Sequence, residues 1–269
     1  MNLRNGLAVL SAFPAIPMPA LGALEWLCGG YREAAALRFS SALRRVPLLP
    51  DHHISRYWRQ YQRYLTPASI CSRTAIWLWR CLERVQPRVV LEFGVGFSTL
   101  LMAVYAQERR AATGKGMHIV SAESDAKWCD TWCEVLAETG LSGEVHLLHS
   151  PLKARALLGR QSWCYSGVED ALDASGLYHD VDFVFVDGPP GLENRGPGRF
   201  GSIAQAVSLT QAGGMVLVHD ALRKDEYTAI KWIQAATSPF RCLGIVPLWY
   251  GLAICEMRPP IGPTAQLQR

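Results

Sequence analysis

The chain has 269 residues, 49% hydrophobic and 19% charged, enough apolar mass for one large α/β domain with an appendage. The net charge is only +4, and the Lys and Arg are scattered rather than gathered into a basic stripe, which argues against nucleic acid as a partner. The eight cysteines form no Cys-x-x-Cys pair and no Cys/His cluster at zinc spacing, so they read as free thiols of a reducing, cytoplasmic compartment.

The segment Leu7–Leu24 is nearly all apolar. It reads either as an arm packed on the domain or a dimer partner, or as a peripheral membrane anchor. Pro14, Pro17 and Pro19 break any continuous spanning helix. Residues 26–86 read as helical. Glu33–Arg45 stops at Pro47, and Asp51–Tyr64 places Tyr57, Trp58, Tyr61 and Tyr64 on one helical face. His52 and His53 point to different helix faces, so a cap fits them better than a metal. Thr66-Pro67 predicts the start of a helix over Ala68–Val85.

From Val89 the pattern alternates. Val89–Leu91 is an apolar strand running into Glu92, Gly94 and Gly96, with a helix over Thr99–Arg109. Further strands are predicted at His118–Ala122, Val145–Leu148, Val181–Val186 and Met215–Val218, with a helix at Ala126–Glu138. Strands alternating with helices imply a mostly parallel sheet covered on both faces. Phe240–Val246 and Leu252–Met257 are joined too closely for anything but antiparallel pairing. The expectation is therefore an α/β, Rossmann-like, mostly parallel seven-stranded sheet with a terminal antiparallel hairpin, spanning 86–258. Residues 1–85 would form an arm and a helical cap or dimerisation region, and 259–269 a flexible tail.

Ligands of open α/β sheets sit beyond the carboxyl ends of the strands. Here those ends carry Glu92, Glu123, Ser150, Asp187 and the pair His219-Asp220. Gly94 and Gly96 allow a tight turn and close approach of a ligand, and Ser98 and Thr99 open the helix whose free N–H groups face it. Glu123, beside Ser124, suits the two hydroxyls of a ribose. Glu92 can orient the glycine turn, by tying down its backbone N–H groups, or receive a ligand's ammonium group. Asp187 sits on the rigid corner Asp187-Gly188-Pro189-Pro190-Gly191, where it can serve as a base or metal ligand. His219 can take a proton near neutral pH. Adjacent strand residues point oppositely, so only one of His219 and Asp220 is expected to face the reacting centre.

The run Glu92-Phe93-Gly94-Val95-Gly96-Phe97-Ser98-Thr99, then Glu123, Asp187 and His219-Asp220, resembles the class I S-adenosylmethionine-dependent methyltransferases. In motifs the chain is most similar to the plant glucuronoxylan and arabinogalactan O-methyltransferase family. Those motifs are Phe93–Gly96, Glu123 with Asp125 and Trp128, Asp187–Gly191, Pro197-Gly198-Arg199, and His219-Asp220 with Arg223 and Glu226. It departs at Gly188, where that family carries Ala, at Phe200, and over the first 85 residues.

The resemblance implies S-adenosylmethionine as cofactor, with Gly94 and Gly96 under its methionine moiety, Glu123 on the ribose and Ser150 near the adenine. The expected activity is O-methylation of a sugar, uronate or other small polar acceptor, with Asp187, His219 or Asp220 as base. Arg195, Arg199 and Arg223 are candidates to hold an anionic acceptor, or else to pair with Glu193 or Glu226. A divalent ion on Asp187 and Asp220 is not favoured, because no third matched ligand is present. Two other readings stay open: O- or N-methylation of a phenolic scaffold under a lid at Tyr57–Tyr64, and a cofactor-binding partner subunit without turnover. A homodimer is expected.

Overall fold

The computed structural model describes residues 54–190, 199–237, 239–248 and 250–259. The apolar arm, the predicted helix Glu33–Arg45, the His52-His53 pair, Arg195 and the proline-rich tail lie outside them. The helices are α1 (Ile54–Gln60), α2 (Ser72–Val85), α3 (Phe97–Thr113), α4 (Ala126–Glu138), α5 (Val168–Ala174), α6 (Phe200–Leu209) and α7 (Lys224–Ala236). The strands are β1 (Val89–Phe93), β2 (His118–Glu123), β3 (Val145–His149), β4 (Leu152–Leu157), β5 (Arg160–Tyr165), β6 (Phe183–Val186), β7 (Met215–His219), β8 (Phe240–Val246) and β9 (Leu252–Met257).

The main sheet has seven strands in the order β3-β2-β1-β6-β7-β9-β8. β1, β2, β3, β6 and β7 are parallel, and β9 runs antiparallel to both β7 and β8. The expected architecture is present, with a switch point between β1 and β6 where successive strands depart in opposite directions. Alternation along each strand splits the interior into two cores. Val90, Phe183 and Phe185 face α2, α3 and α4, whereas Val89, Leu91, Phe93, Val184 and Val186 face α5, α6 and α7. Each fully buried Phe contributes roughly 1.5–3 kcal/mol, and this sheet carries several.

Local chemistry explains where the expected elements shift. α2 begins at Ser72, not Ala68, with Cys71 as its cap accepting from the Thr74 N–H. The Thr66 N–H donates to the Ser69 hydroxyl at 2.9 Å, so these residues close their own turn instead of starting the helix. The aromatic segment divides into α1 and a 3-10 turn over Gln62–Tyr64. α3 is longer than expected at both ends, because Gly96 serves as its cap and Gly114, at φ 71°, closes it.

The hairpin β4–β5 was not foreseen. Its reversal at Leu158-Gly159 uses two successive positive φ values, 50° and 75°, as a tight two-residue turn requires. α6 lies against β5 so closely that a Cβ on Gly201 would collide with the Trp163 carbonyl. No helix among the described residues is long and apolar enough to cross a membrane.

Candidate active site

At the switch point the β1 and β6 loops meet main chain to main chain. Gly94 sits at φ 91°, and a Cβ there would lie 2.7 Å from the Gly188 nitrogen. The reciprocal Cβ on Gly188 would lie 2.7 Å from the Gly94 Cα and would also strike the Tyr165 hydroxyl. This contact accounts for glycine at 188. Gly96 differs: its φ is −179°, and a Cβ there would meet nothing within 4 Å. The turn therefore presents open space at Gly96 and a closed backbone floor at Gly94.

Glu92 fastens this turn from below. Its carboxylate accepts from Ser98 Oγ and Thr99 Oγ1, each at 2.6 Å, and from Ser121 Oγ at 2.7 Å. Burial, partly offset by these three donors, pushes its pKa up to about 8. The carboxylate is wholly buried and binds hydroxyls rather than backbone N–H groups, so it does not lie at a ligand surface. Thr99 is likewise enclosed, its Oγ1 also accepting from the Gly96 N–H.

Glu123 ends β2 and ties three backbone N–H groups, those of Val95 (3.0 Å), Ser124 (2.6 Å) and Asp125 (2.9 Å). Burial raises its pKa, against the lowering effect of these donors. Oε1 is saturated by Ser124 and Asp125, so Oε2 keeps the capacity to accept from a ligand hydroxyl. Asp125 caps α4, and from that helix Trp128 Nε1 donates to the Val95 carbonyl at 2.7 Å. Val95 is thus clamped through both its N–H and its C=O. Ser150 is fully buried and donates to the Ser166 carbonyl at 2.6 Å, so its hydroxyl is committed to the loop before α5.

At the other end, Asp187, His219 and Asp220 converge. His219 Nδ1 lies 2.8 Å from Asp187 Oδ1 and 3.6 Å from Asp220 Oδ1. Of this adjacent pair only Asp220 lines the cleft, yet its side chain stays close to His219. Asp220 adopts φ 58°, a left-handed conformation that Asp tolerates, and this swings its side chain back beside His219. Arg199, at the start of α6, closes the group. It donates to the His219 carbonyl at 2.9 Å and lies 3.1 Å from Asp220 Oδ2 and 3.3 Å from Asp187 Oδ1.

Burial opposes charge on Asp187, yet His219, Arg199 and Arg223 outweigh it and hold the carboxyl below its ordinary value. Burial also opposes the His219 imidazolium, but Asp187 and Asp220 lift its pKa above the usual range. Arg199 is paired with Asp187 and Asp220, Glu193 lies outside the described residues, and the Arg199 side chain is 5% exposed, enclosed in an ionic cluster rather than standing free for an acceptor. Arg223 is 41% exposed, 3.1 Å from Asp220 Oδ2, with its guanidinium over the Tyr250 ring.

A cleft of ≈ 620 Å³ joins the two ends, within the range of small-molecule sites. Of the residues predicted from sequence, it brings together Gly94, Gly96, Ser98, Glu123, Asp187, Arg199, Asp220 and Arg223. Glu92, Thr99, Ser124, Ser150 and His219 stand behind its surface. The walls that sequence reasoning did not place are the turn Thr66–Ile70 before α2, and Trp128. The aromatic face does not form a lid. Tyr57 stacks on Trp79, Trp58 meets Phe97 edge-on, and Tyr64 donates to Glu138, so the stripe serves packing against the domain.

No protein-family model matches the chain, and no curated protein matches it. Solved structures do match. A methyltransferase from Geobacter sulfurreducens is 17% identical, with 82% of this chain and 96% of that chain covered and a TM-score of 0.51. An O-methyltransferase from Bacillus cereus, solved in complex with S-adenosylhomocysteine, is 15% identical, with 82% and 97% covered and a TM-score of 0.53. The chain shares the Rossmann-like fold of these proteins. The O-methyltransferase TomG from Streptomyces achromogenes, involved in tomaymycin synthesis and solved with S-adenosylmethionine, is 18% identical, with 84% and 96% covered and a TM-score of 0.50. At these identities the similarity establishes the Rossmann-like architecture, and the chemistry of the cleft has to be argued from this chain's residues.

Proposed function

We propose that this protein is an S-adenosylmethionine-dependent O-methyltransferase acting on a hydroxyl of a small polar, anionic acceptor. The observation that carries the reading is the layout of one cleft. A carboxylate that can still accept lies at one end, the open main chain of Gly96 in the middle, and the Asp187/Asp220 pair at the other. That layout fits a long cofactor with a hydroxylated ring toward Glu123 and its reactive end toward Asp187. The complexes of the Bacillus cereus and Streptomyces achromogenes proteins support the same choice of cofactor.

When bound, S-adenosylmethionine supplies a methyl group on a positively charged sulfur that a hydroxyl oxygen can displace. The chain's own residues would do the rest. Gly94 and Gly96 let the cofactor approach the main chain, and Glu123 Oε2 accepts from the ribose. Asp187 lines the cleft with Oδ1 held by His219 and Arg199, which leaves Oδ2 to accept the acceptor's proton as its oxygen attacks. His219 acts behind Asp187 as a positioning residue. Much of the rate would come from aligning two substrates across a fixed floor. Arg223, at the cleft rim, would draw in an acidic group such as a uronate carboxylate.

Calorimetry with S-adenosylmethionine, S-adenosylhomocysteine and NAD tests the cofactor. Binding of the first two and not the third is expected, and absence of binding to both sulfur compounds would overturn the assignment. Transfer of labelled methyl to uronates, neutral sugars and phenols then tests the acceptor. Preference for phenols would redirect the acceptor reading, and cofactor binding without turnover on any acceptor would favour a partner subunit.

A further inference from the structure

The Asp187/His219/Asp220 group has the make-up of a divalent-cation site: their ligating atoms all lie within 4.8 Å of one another. The arrangement of charge around it points elsewhere. The Arg199 guanidinium, 5% exposed, reaches both carboxylates at once, at 3.3 Å from Asp187 and 3.1 Å from Asp220, and also donates to the His219 carbonyl. Arg223 adds a second guanidinium on Asp220. Two carboxylates therefore already face two permanent positive charges and an imidazole, so an incoming divalent ion would meet repulsion rather than a vacant anionic pocket. One oxygen of each carboxylate is also taken. Asp187 Oδ1 is shared by His219 and Arg199, and Asp220 Oδ2 by the two arginines. The Arg199 position is built in: it is the cap residue of α6, whose next turn is pressed onto β5 at Gly201.

Resting on the methyltransferase reading, we propose that Arg199 is the resident cation of this site: its guanidinium fills the place between Asp187 and Asp220 that a divalent ion would take, and methyl transfer proceeds without a metal. Arg199 is thus an electrostatic positioning residue that holds Asp187 ionised and aimed, rather than a ligand for the acceptor.

The test is titration of the full-length protein with MnCl2 alone, read by calorimetry and by the paramagnetic resonance of free Mn2+. The wild type should show no saturable binding, and EDTA should leave methyl transfer unchanged. Arg199→Ala should show saturable Mn2+ binding, at least about a hundredfold tighter than any residual wild-type affinity, since a nearby unit charge has been removed. Mn2+ should also raise the melting temperature of that variant and not of the wild type. Arg199→Lys, which keeps the charge, should bind no Mn2+. A purely structural arginine would predict destabilisation without this gain of metal affinity.

Saturable Mn2+ binding by the wild type that is lost in Asp187→Asn, or activity removed by EDTA and restored by Mn2+, would overturn the proposal. So would a folded Arg199→Ala without the gain. If Arg199→Ala does not fold, the wild-type titration and the Lys variant decide. The Mn2+ binding and melting measurements do not involve S-adenosylmethionine, so failure of the cofactor assignment would show separately, as absent cofactor binding.

Discussion

His219 Nδ1 lies 2.8 Å from Asp187 Oδ1, a contact made across 32 positions of sequence by residues at the ends of neighbouring parallel strands. Each residue perturbs the other: the carboxylate favours the charged imidazole, and the imidazolium favours the ionised carboxylate.

The pair should leave a signature in stability against pH. His219's pKa is raised above 6.5 in the folded protein, so its contribution is full below pH 6.5 and is lost as pH rises through the folded value. Asp187's pKa is lowered below 3.8, so its contribution is present above pH 3.8 and is lost as pH falls through the folded value. The pair therefore stabilises most between these limits. Thermal melts of wild type and His219→Gln should differ most near pH 6 and converge as pH rises through the raised folded pKa of His219. A difference that grows with rising pH would contradict the charged pair.

Asp187→Asn should reduce methyl transfer by about 10²–10⁴-fold while leaving cofactor affinity nearly unchanged, because the amide keeps the shape and loses the basicity. Single-turnover rates, set beside calorimetric binding constants, separate the two effects. Weakened cofactor binding with a normal single-turnover rate would move the proton acceptor elsewhere.

The two glycines of the turn make opposite forecasts. Gly94→Ala combines an unfavourable φ of 91° with a backbone collision, so it should destabilise the fold by about 1–3 kcal/mol, measured by urea unfolding. Gly96→Ala meets nothing within 4 Å and has an extended φ, so stability should hold while cofactor binding falls at least about tenfold. Equal cofactor affinity in Gly96→Ala and wild type would place the cofactor away from this turn.

Glu123→Ala should weaken cofactor binding by about 10–100-fold, the scale of a lost hydrogen bond to a charged group. It should also lower the melting temperature, because the N–H groups of Val95, Ser124 and Asp125 lose their acceptor. Glu123→Gln, which keeps an oxygen, should fall between Ala and wild type in both measurements.

Glu92 titrates from the opposite starting point. With its folded pKa raised to about 8, its neutral form is the one the fold accommodates, so stability should decline as pH rises from about 4.5 toward 8. Glu92→Gln should flatten that decline in melting temperature. An unchanged pH profile would mean that the carboxylate is ionised throughout and sustained by Ser98, Thr99 and Ser121.

What was legible in the sequence follows from how much signal each element carries. The buried strands announce themselves as apolar runs such as Phe183–Val186, and Asp125 caps α4 where a sequence reader places it. β4 and β5 carry no such pattern. Lys153, Arg155, Arg160 and Gln161 are exposed, and the few apolar residues that the hairpin buries, such as Leu152, Cys164 and Tyr165, are too scattered to read as a strand pattern. Cys71 is a weak cap signal beside Thr66-Pro67, the stronger local pattern. The site was legible as a set of strand ends but not as geometry. No spacing rule reveals that Asp220 takes a left-handed turn, or that Arg199 is drawn inward by two carboxylates distant from it in sequence.

The touching main chains of Gly94 and Gly188 fix a length. The segment proposed to seat the methyl donor and the corner carrying the proposed base are separated by van der Waals contact alone, with no side chain between them to shrink, swell or rotate. Donor and base are thereby gauged against each other by the polypeptide itself. A search for altered acceptor preference can leave that gauge alone and vary Arg223 at the cleft and the Tyr250 ring that supports it, where side chains rather than backbone set the shape.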